Sequence, residues 1–235
     1  GNIHYGLVKN PRHGLCCPNA RGYVNYVSAF THELLSHYAV DGIRFDMTFW
    51  PTVCYCHHCQ ERFNLETSWE LPRIINWNDP VWVKFQRKRE EWLIDFASKM
   101  TSAARQTRSS ISVEHQSSTY LFDWHLGVTE GLSQHSDFLQ GDFYGDQLQG
   151  SVVRKLLYHL TNHKPIGFET SSSESLESHT NYKSFDLINT KTHAALADQA
   201  AIIFIDGIDP EGTLNPQTYQ RAGQAFTNIA CYDPY

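Results

Sequence analysis

Residues Val40 to Cys59 read VDGIRFDMTFWPTVCYCHHC. The stretch opens as a short strand in which Ile43, Phe45 and Met47 alternate, with Asp46 set among them. It continues into an aromatic loop, Phe49-Trp50-Pro51, and closes on Cys54-x-Cys56-x-x-Cys59. Upstream, Tyr23, Val27, Phe30, Leu34, Leu35 and Tyr38 recur at three- and four-residue steps, which predicts an amphipathic helix over residues 21–38. Downstream, Asn78-Asp79-Pro80 is a helix-start signal with Asp79 as N-cap. The helix it opens runs to about residue 108. Trp82, Phe85, Trp92, Phe96 and Met100 line one face, and Lys84, Arg87, Lys88, Glu90 and Glu91 face water. This helix–strand–helix order belongs to a βα barrel or an open α/β sheet, where chemistry sits at the C-terminal ends of the strands.

The alternation continues along the chain. Strands are expected over 111–115, 138–144, 165–170 and 201–205, and helices over 151–163, 185–199 and from Asn215-Pro216 to about 229. A short helix is expected around Gln60 to Phe63, while residues 119–135 carry no clear period. Turns are expected at Asn10-Pro11, His13-Gly14, Gly145-Asp146 and Asp209-Pro210, and the serine-rich run 171–178 reads as a solvated loop. No repeat or linker divides the chain, so residues 1–235 are expected to form one domain. Five βα units do not close an eight-stranded barrel, so either the sheet is open or the first strands lie outside this chain.

Hydrophobic content of 41% is enough for a real core, and the net charge of −6 comes without a basic run, which argues against a nucleic-acid partner. No apolar run reaches the roughly 18 residues of a membrane span. No signal-peptide pattern is visible and the first residue is Gly, so the chain reads as part of a longer protein. Three of the six cysteines fall within Cys54 to Cys59, a spacing that favours a metal or a reducing compartment over a disulfide framework and favours the cytoplasm. Cys17 or Cys16 would supply a fourth thiolate, and four thiolates suit a closed, structural zinc site rather than a catalytic one. His57 and His58 are alternative ligands, and Cys231 reads as a lone thiol.

Asp46, Glu114, Asp142, Glu169 and Asp206 all fall at or just past expected strand ends. Two convergent carboxylates there are what glycoside hydrolysis requires, one as nucleophile or base and one as proton donor. Asp46 and Glu169 each follow a phenylalanine, Phe45 and Phe168, expected to wall the carboxylate. Trp50, Glu114, His115, Asp142 and Tyr144 are the candidates for substrate contact.

The segment DGIRFDMTFWPTVCYCHHCQERF resembles the catalytic core of the family 151 glycoside hydrolases, α-L-fucosidases related to family 29. AIIFIDGIDPEGTLNPQTYQRAGQAF is similar to the last strand and helix of family 29, and Phe168-Glu169-Thr170-Ser171-Ser172 to its acid/base segment. These matches cover roughly residues 20–63 and 165–230. The resemblance implies a TIM-type (β/α)8 barrel of which this chain holds strands four to eight. It also implies a retaining exo-glycosidase that hydrolyses terminal fucosides, with Asp46 as nucleophile and Glu169 as acid/base, Glu114 and Asp142 remaining rivals for the second role. One upstream Cys plus Cys-x-Cys-x-x-Cys is similar to the zinc pattern of family 42 β-galactosidases, which points to Cys17, Cys54, Cys56 and Cys59. No cofactor is expected for catalysis. The partner implied is an oligosaccharide or glycoside, and homo-oligomerisation of the protein stays open. Two other readings stay open as well: a β-galactosidase-like enzyme with Glu169 as nucleophile, and a non-catalytic carbohydrate-binding barrel fragment.

Overall fold

Asp79 sets the longest element of the chain. Its side chain accepts from the Val81 amide at 2.9 Å and Pro80 takes the first helical position, so the helix starts where the sequence predicts. The computed structural model describes residues 15–117, 124–162, 165–174, 181–208 and 211–232. The turns expected at Asn10-Pro11, His13-Gly14 and Asp209-Pro210, and loop residues 175–178, lie outside the described residues. The chain forms two compact units, Gly1–Asp137 and Phe138–Tyr235.

The first unit runs α1 (Arg21–His37), β1 (Gly42–Phe45), α2 (His57–Thr67), α3 (Pro80–Thr107) and β2 (Ser112–His115), followed by two short 3-10 turns at Trp124–Leu126 and Glu130–His135. β1 and β2 pair in parallel with Arg44 opposite Glu114 and Phe45 opposite His115. Helix α1 packs on α3, where Tyr23 stacks on Phe96 with ring centroids 5.9 Å apart. The apolar stripe of α3 is buried as expected, and Arg89 is buried with it. Trp82, Phe85 and Trp92 join Trp50, Val53, Phe63 and Leu93 in a core that also takes in Cys17, Cys54 and Cys59. Each large apolar side chain of this kind contributes about 1.5–3 kcal/mol by leaving water.

The second unit runs β3 (Gln140–Asp142), α4 (Gln147–Leu160), β4 (Ile166–Ser171), α5 (Phe185–Ala197), β5 (Ala200–Ile205) and α6 (Pro216–Ile229). Its sheet is parallel in the order β3-β4-β5, with β4 central and buried throughout. Helix α4 starts four residues earlier than expected. The Asp146 carboxylate caps it by accepting from the Gln149 amide at 2.9 Å, so Gly145-Asp146 is a helix start rather than a free turn. Ser171, Ser172 and Ser173 are buried, which corrects the expectation of a solvated serine loop. Lys183, also buried, donates to the Ser171 carbonyl at 2.8 Å and to its hydroxyl at 3.0 Å. Among the described residues, no helix is long and apolar enough to cross a membrane.

Candidate active site and metal centre

Each unit carries carboxylates at the C-terminal ends of its parallel strands. In the first unit, Asp46 directly follows β1 and its side chain is 65% exposed. The chain turns sharply behind it, because Met47 adopts a left-handed φ of 53°. The Gln116 side-chain carbonyl secures that turn by accepting from the Met47 amide at 3.0 Å. Asp46 borders a cavity of about 270 Å³ walled by Tyr23, Phe30, Ile43 and Phe45. The Arg44 guanidinium lies 3.6 Å from the Asp46 carboxylate and 3.2 Å from that of Glu114.

Three expected substrate contacts of this unit take other roles. Glu114 is 1% exposed and serves as a charge partner of Arg44, so it does not reach a ligand at the surface. His115 is also 1% exposed, with Nδ1 at 3.2 Å from Thr48 Oγ1 and Nε2 at 3.0 Å from Thr101 Oγ1. Burial pushes its pKa down to about 3, which makes it a neutral core histidine. Trp50 is 2% exposed and donates from Nε1 to the Arg89 carbonyl at 2.9 Å, so its ring is core and offers no stacking face to a sugar. Phe45 lines the same cavity as Asp46 and also stacks on His115, with centroids 5.0 Å apart.

In the second unit, Asp142 ends β3 directly opposite Glu169 in β4, which puts the two carboxylates on one face of neighbouring strands. Gln140 donates from Nε2 to Glu169 Oε1 at 2.6 Å. The glycine two residues before Glu169 makes that possible, since a Cβ on Gly167 would stand 2.5 Å from Gln140 Cγ. Glu169 is therefore held in a fixed orientation by a neighbour that the sequence reading did not single out. Phe168 points to the other face, where it stacks with Phe143 at 5.7 Å, and so does not wall Glu169. Tyr144 is half-buried two residues beyond Asp142. Lys191, buried on α5, donates to the Gly145 carbonyl at 2.9 Å and ties down the loop after β3. Burial lowers its pKa to about 8.

The Sγ atoms of Cys17, Cys54, Cys56 and Cys59 all lie within 4.8 Å of one another, and Cys17 and Cys59 are 3.5 Å apart. A tetrahedral centre with metal–sulfur bonds of about 2.3 Å needs sulfurs about 3.8 Å apart, so the four residues fit a metal ion. Cys16 is exposed, which leaves Cys17 as the upstream member. Cys56 caps the N-terminus of α2 and Cys59 lies in its first turn, where the helix dipole favours thiolates. Bonding to Cys17 holds the Cys54 and Cys56 thiols below the ordinary range and pushes Cys59 above it, while Cys17 is itself raised, first by Cys54. His57 and His58 group separately with Glu61, so they are not ligands of the thiol cluster.

This is the fold of part of a βα barrel, with carboxylates at its strand ends and a cluster of four thiols that could hold a metal ion. The chain matches an α-L-fucosidase isoenzyme 2 from Paenibacillus thiaminolyticus at a TM-score of 0.64 and 15% identity, covering 94% of this chain and 31% of that one. It matches a β-galactosidase from Bacillus circulans sp. alkalophilus at 0.72 and 12% identity, over 93% of this chain and 41% of that one. It also matches the PgaB (BpsB) glycoside hydrolase domain from Bordetella bronchiseptica at 0.65 and 12% identity, over 94% and 66%. The chain thus spans a third to two fifths of the first two of these relatives. At such identities the likeness is one of fold. No protein-family model and no curated protein sequence matches the chain.

Proposed function

We propose that this chain is the catalytic portion of a retaining exo-glycosidase that hydrolyses terminal α-L-fucosides. One observation carries the reading: acidic side chains stand at the C-terminal ends of the parallel strands, with Asp46 exposed after β1 and Glu169 oriented by Gln140 beside Asp142. Asp46 attacks the anomeric carbon and forms the glycosyl-enzyme. Glu169 protonates the departing oxygen, then takes the proton of the water that releases the sugar. Asp142 and Tyr144, just beyond the same strand face, contact the sugar. Cys17, Cys54, Cys56 and Cys59 hold a structural zinc ion, whose four thiolate ligands leave no position for a reacting water.

The test is turnover of aryl α-L-fucosides by the purified protein and its variants. Asp46→Asn is expected to abolish turnover without changing the melting temperature, because the side chain is largely exposed. Glu169→Gln is expected to cost about 10²–10⁴-fold, less with leaving groups that need no protonation. Full activity of Asp46→Asn would sink the nucleophile assignment. A second reading, a β-galactosidase-like enzyme with Glu169 as nucleophile, is favoured by the four-cysteine cluster and by the TM-score of 0.72 to the Bacillus circulans enzyme. Aryl β-galactosides in the same assay separate the two, and sugar binding without any turnover would overturn both.

A further inference from the structure

The thiol cluster shares its core with a charge that the described residues do not neutralise. Arg89 lies on the buried face of α3 and is 1% exposed. Its Nη1 donates to Gln86 Oε1 at 2.6 Å and to the Trp124 carbonyl at 3.4 Å, and its Nη2 donates to the His125 carbonyl. All three acceptors are neutral, Nε has no hydrogen-bond partner, and no carboxylate among the described residues pairs with the guanidinium. The guanidinium sits 5.7 Å from the Trp50 ring, and Trp50 packs in one core cluster with Cys17, Cys54 and Cys59. Burying a cation is costly unless an opposite charge accompanies it. Four thiolates around a divalent ion leave two negative charges over, and those charges would lie in the same core as this guanidinium.

Resting on the reading of the cluster as a divalent-metal site, we propose that Arg89 is the counter-charge of that centre and links it to the segment 124–127 and the Trp50 loop. Arg62 is the competing cation. It orients Asn19 with a bond of 3.0 Å, and Asn19 in turn donates to Cys59 Sγ at 3.3 Å. Arg62 is already neutralised, however, by Glu66 at 2.7 Å and Asp95 at 3.0 Å. Among the described residues, Arg89 has no such partner. The link outward is continuous: Arg89 holds the Trp124 and His125 carbonyls, and the Leu126 carbonyl accepts from the Trp50 amide at 2.9 Å. Trp50 closes the loop by donating back to the Arg89 carbonyl. Trp50 lies between Asp46 and Cys54, so the centre braces the chain that leaves the β1 strand end. Metal and arginine therefore stabilise each other, and without the metal Arg89 is a buried cation with no counter-charge among the described residues.

The experiment measures zinc affinity by competition with a chromogenic chelator, for the unaltered protein, Arg89→Met and Arg89→Lys. Thermal unfolding of each is followed with zinc bound and after stripping. Arg89→Met is expected to weaken zinc binding by about 10–100-fold at unchanged saturation. It should lower the melting temperature of the zinc-loaded form and spare the stripped form. Arg89→Lys keeps the charge and loses the fork to the two carbonyls, so it should keep near-native affinity. Native affinity in Arg89→Met, or an equal loss of melting temperature in both forms, overturns the proposal in favour of a carbonyl clamp. Should Arg89→Met not fold, Arg89→Lys decides alone: near-native affinity supports the proposal, and a loss beyond about tenfold overturns it. An unaltered protein that takes up no zinc refutes the metal reading itself, which is seen before any variant is made.

Discussion

His115 makes the stability of the first unit depend on pH in a calculable way. Both ring nitrogens face buried threonine hydroxyls, Nδ1 at 3.2 Å from Thr48 and Nε2 at 3.0 Å from Thr101. Burial lowers the pKa to about 3, with neighbouring His135 adding to the shift. The unfolded value is about 6.5. Between the two, the unfolded chain binds the extra proton, so stability is complete above about pH 6.5 and is lost as pH falls toward 3. The loss integrates to about 2 kcal/mol between pH 7 and pH 5, and grows by about 1.4 kcal/mol per further pH unit. The assay is urea unfolding of the unaltered protein and His115→Gln at pH 7, 6 and 5, followed by tryptophan fluorescence. All six tryptophans lie between Trp50 and Trp124, in the same unit as His115. His115→Gln should be less stable at pH 7 by about 1–3 kcal/mol through its lost bonds. That gap should close by about 2 kcal/mol by pH 5, because the variant has no imidazole to protonate. Parallel pH slopes for the two proteins would refute the account.

Two further predictions follow from packing and from the thiol cluster. Gly127 has a φ of +59° and a Cβ there would stand 2.6 Å from Trp50 Cδ1, so Gly127→Ala should destabilise by at least about 1–3 kcal/mol in thermal or urea unfolding. Elemental analysis should return about one zinc per chain. Cys59→Ser should lower both that content and the melting temperature, whereas Cys16→Ser and Cys231→Ser, at exposed positions outside the cluster, should change neither.

What was legible in the sequence was whatever has a local cause. The α3 stripe follows a 3.6-residue period, and Asp79-Pro80 and Asn215-Pro216 carry their capping chemistry in two adjacent residues. The sequence reads Gly145-Asp146 as a turn and starts α4 at residue 151, although Asp146 is an N-cap of ordinary type. Gly150 within that helix is set by packing: a Cβ would meet Arg154 Nη1 at 3.0 Å and Phe168 at 3.3 Å. Arg89 could have been found from the sequence. It falls four residues after Phe85 and three before Trp92, so the helical period that buries those rings buries it too. A charge on an apolar stripe asks for a partner, and Cys-x-Cys-x-x-Cys was already in view. The buried lysines left no such signal, because Lys183 and Lys191 are satisfied by oxygens of Ser171, Gly145 and Thr170, brought there only by the fold.

Strand parity separates several of the expected site residues, and it bears on the function. Side chains alternate across a strand, so neighbours within it point to opposite faces. Glu114 and His115 were both expected at the substrate, yet the register with β1 sends Glu114 to Arg44 and His115 to Phe45. The same alternation separates Phe168 from Glu169. Parity thus sorts the strand-end acids without any assumption about substrate. On β1 and β2 the polar face carries Arg44, Asp46 and Glu114. Of the two acids, only Asp46 is exposed, since burial and the Arg44 pair hold Glu114 in place. On β3 and β4 the polar face carries Gln140, Asp142 and Glu169. The proposed roles ask for access at the nucleophile Asp46, which is exposed, and for a fixed orientation at the acid/base Glu169, which Gln140 holds. Asp142 stands directly across from Glu169, which makes Asp142→Asn the sharpest probe of whether that face handles the proton: it should alter the acid limb of the pH–rate profile, and an unchanged limb would remove Asp142 from the site.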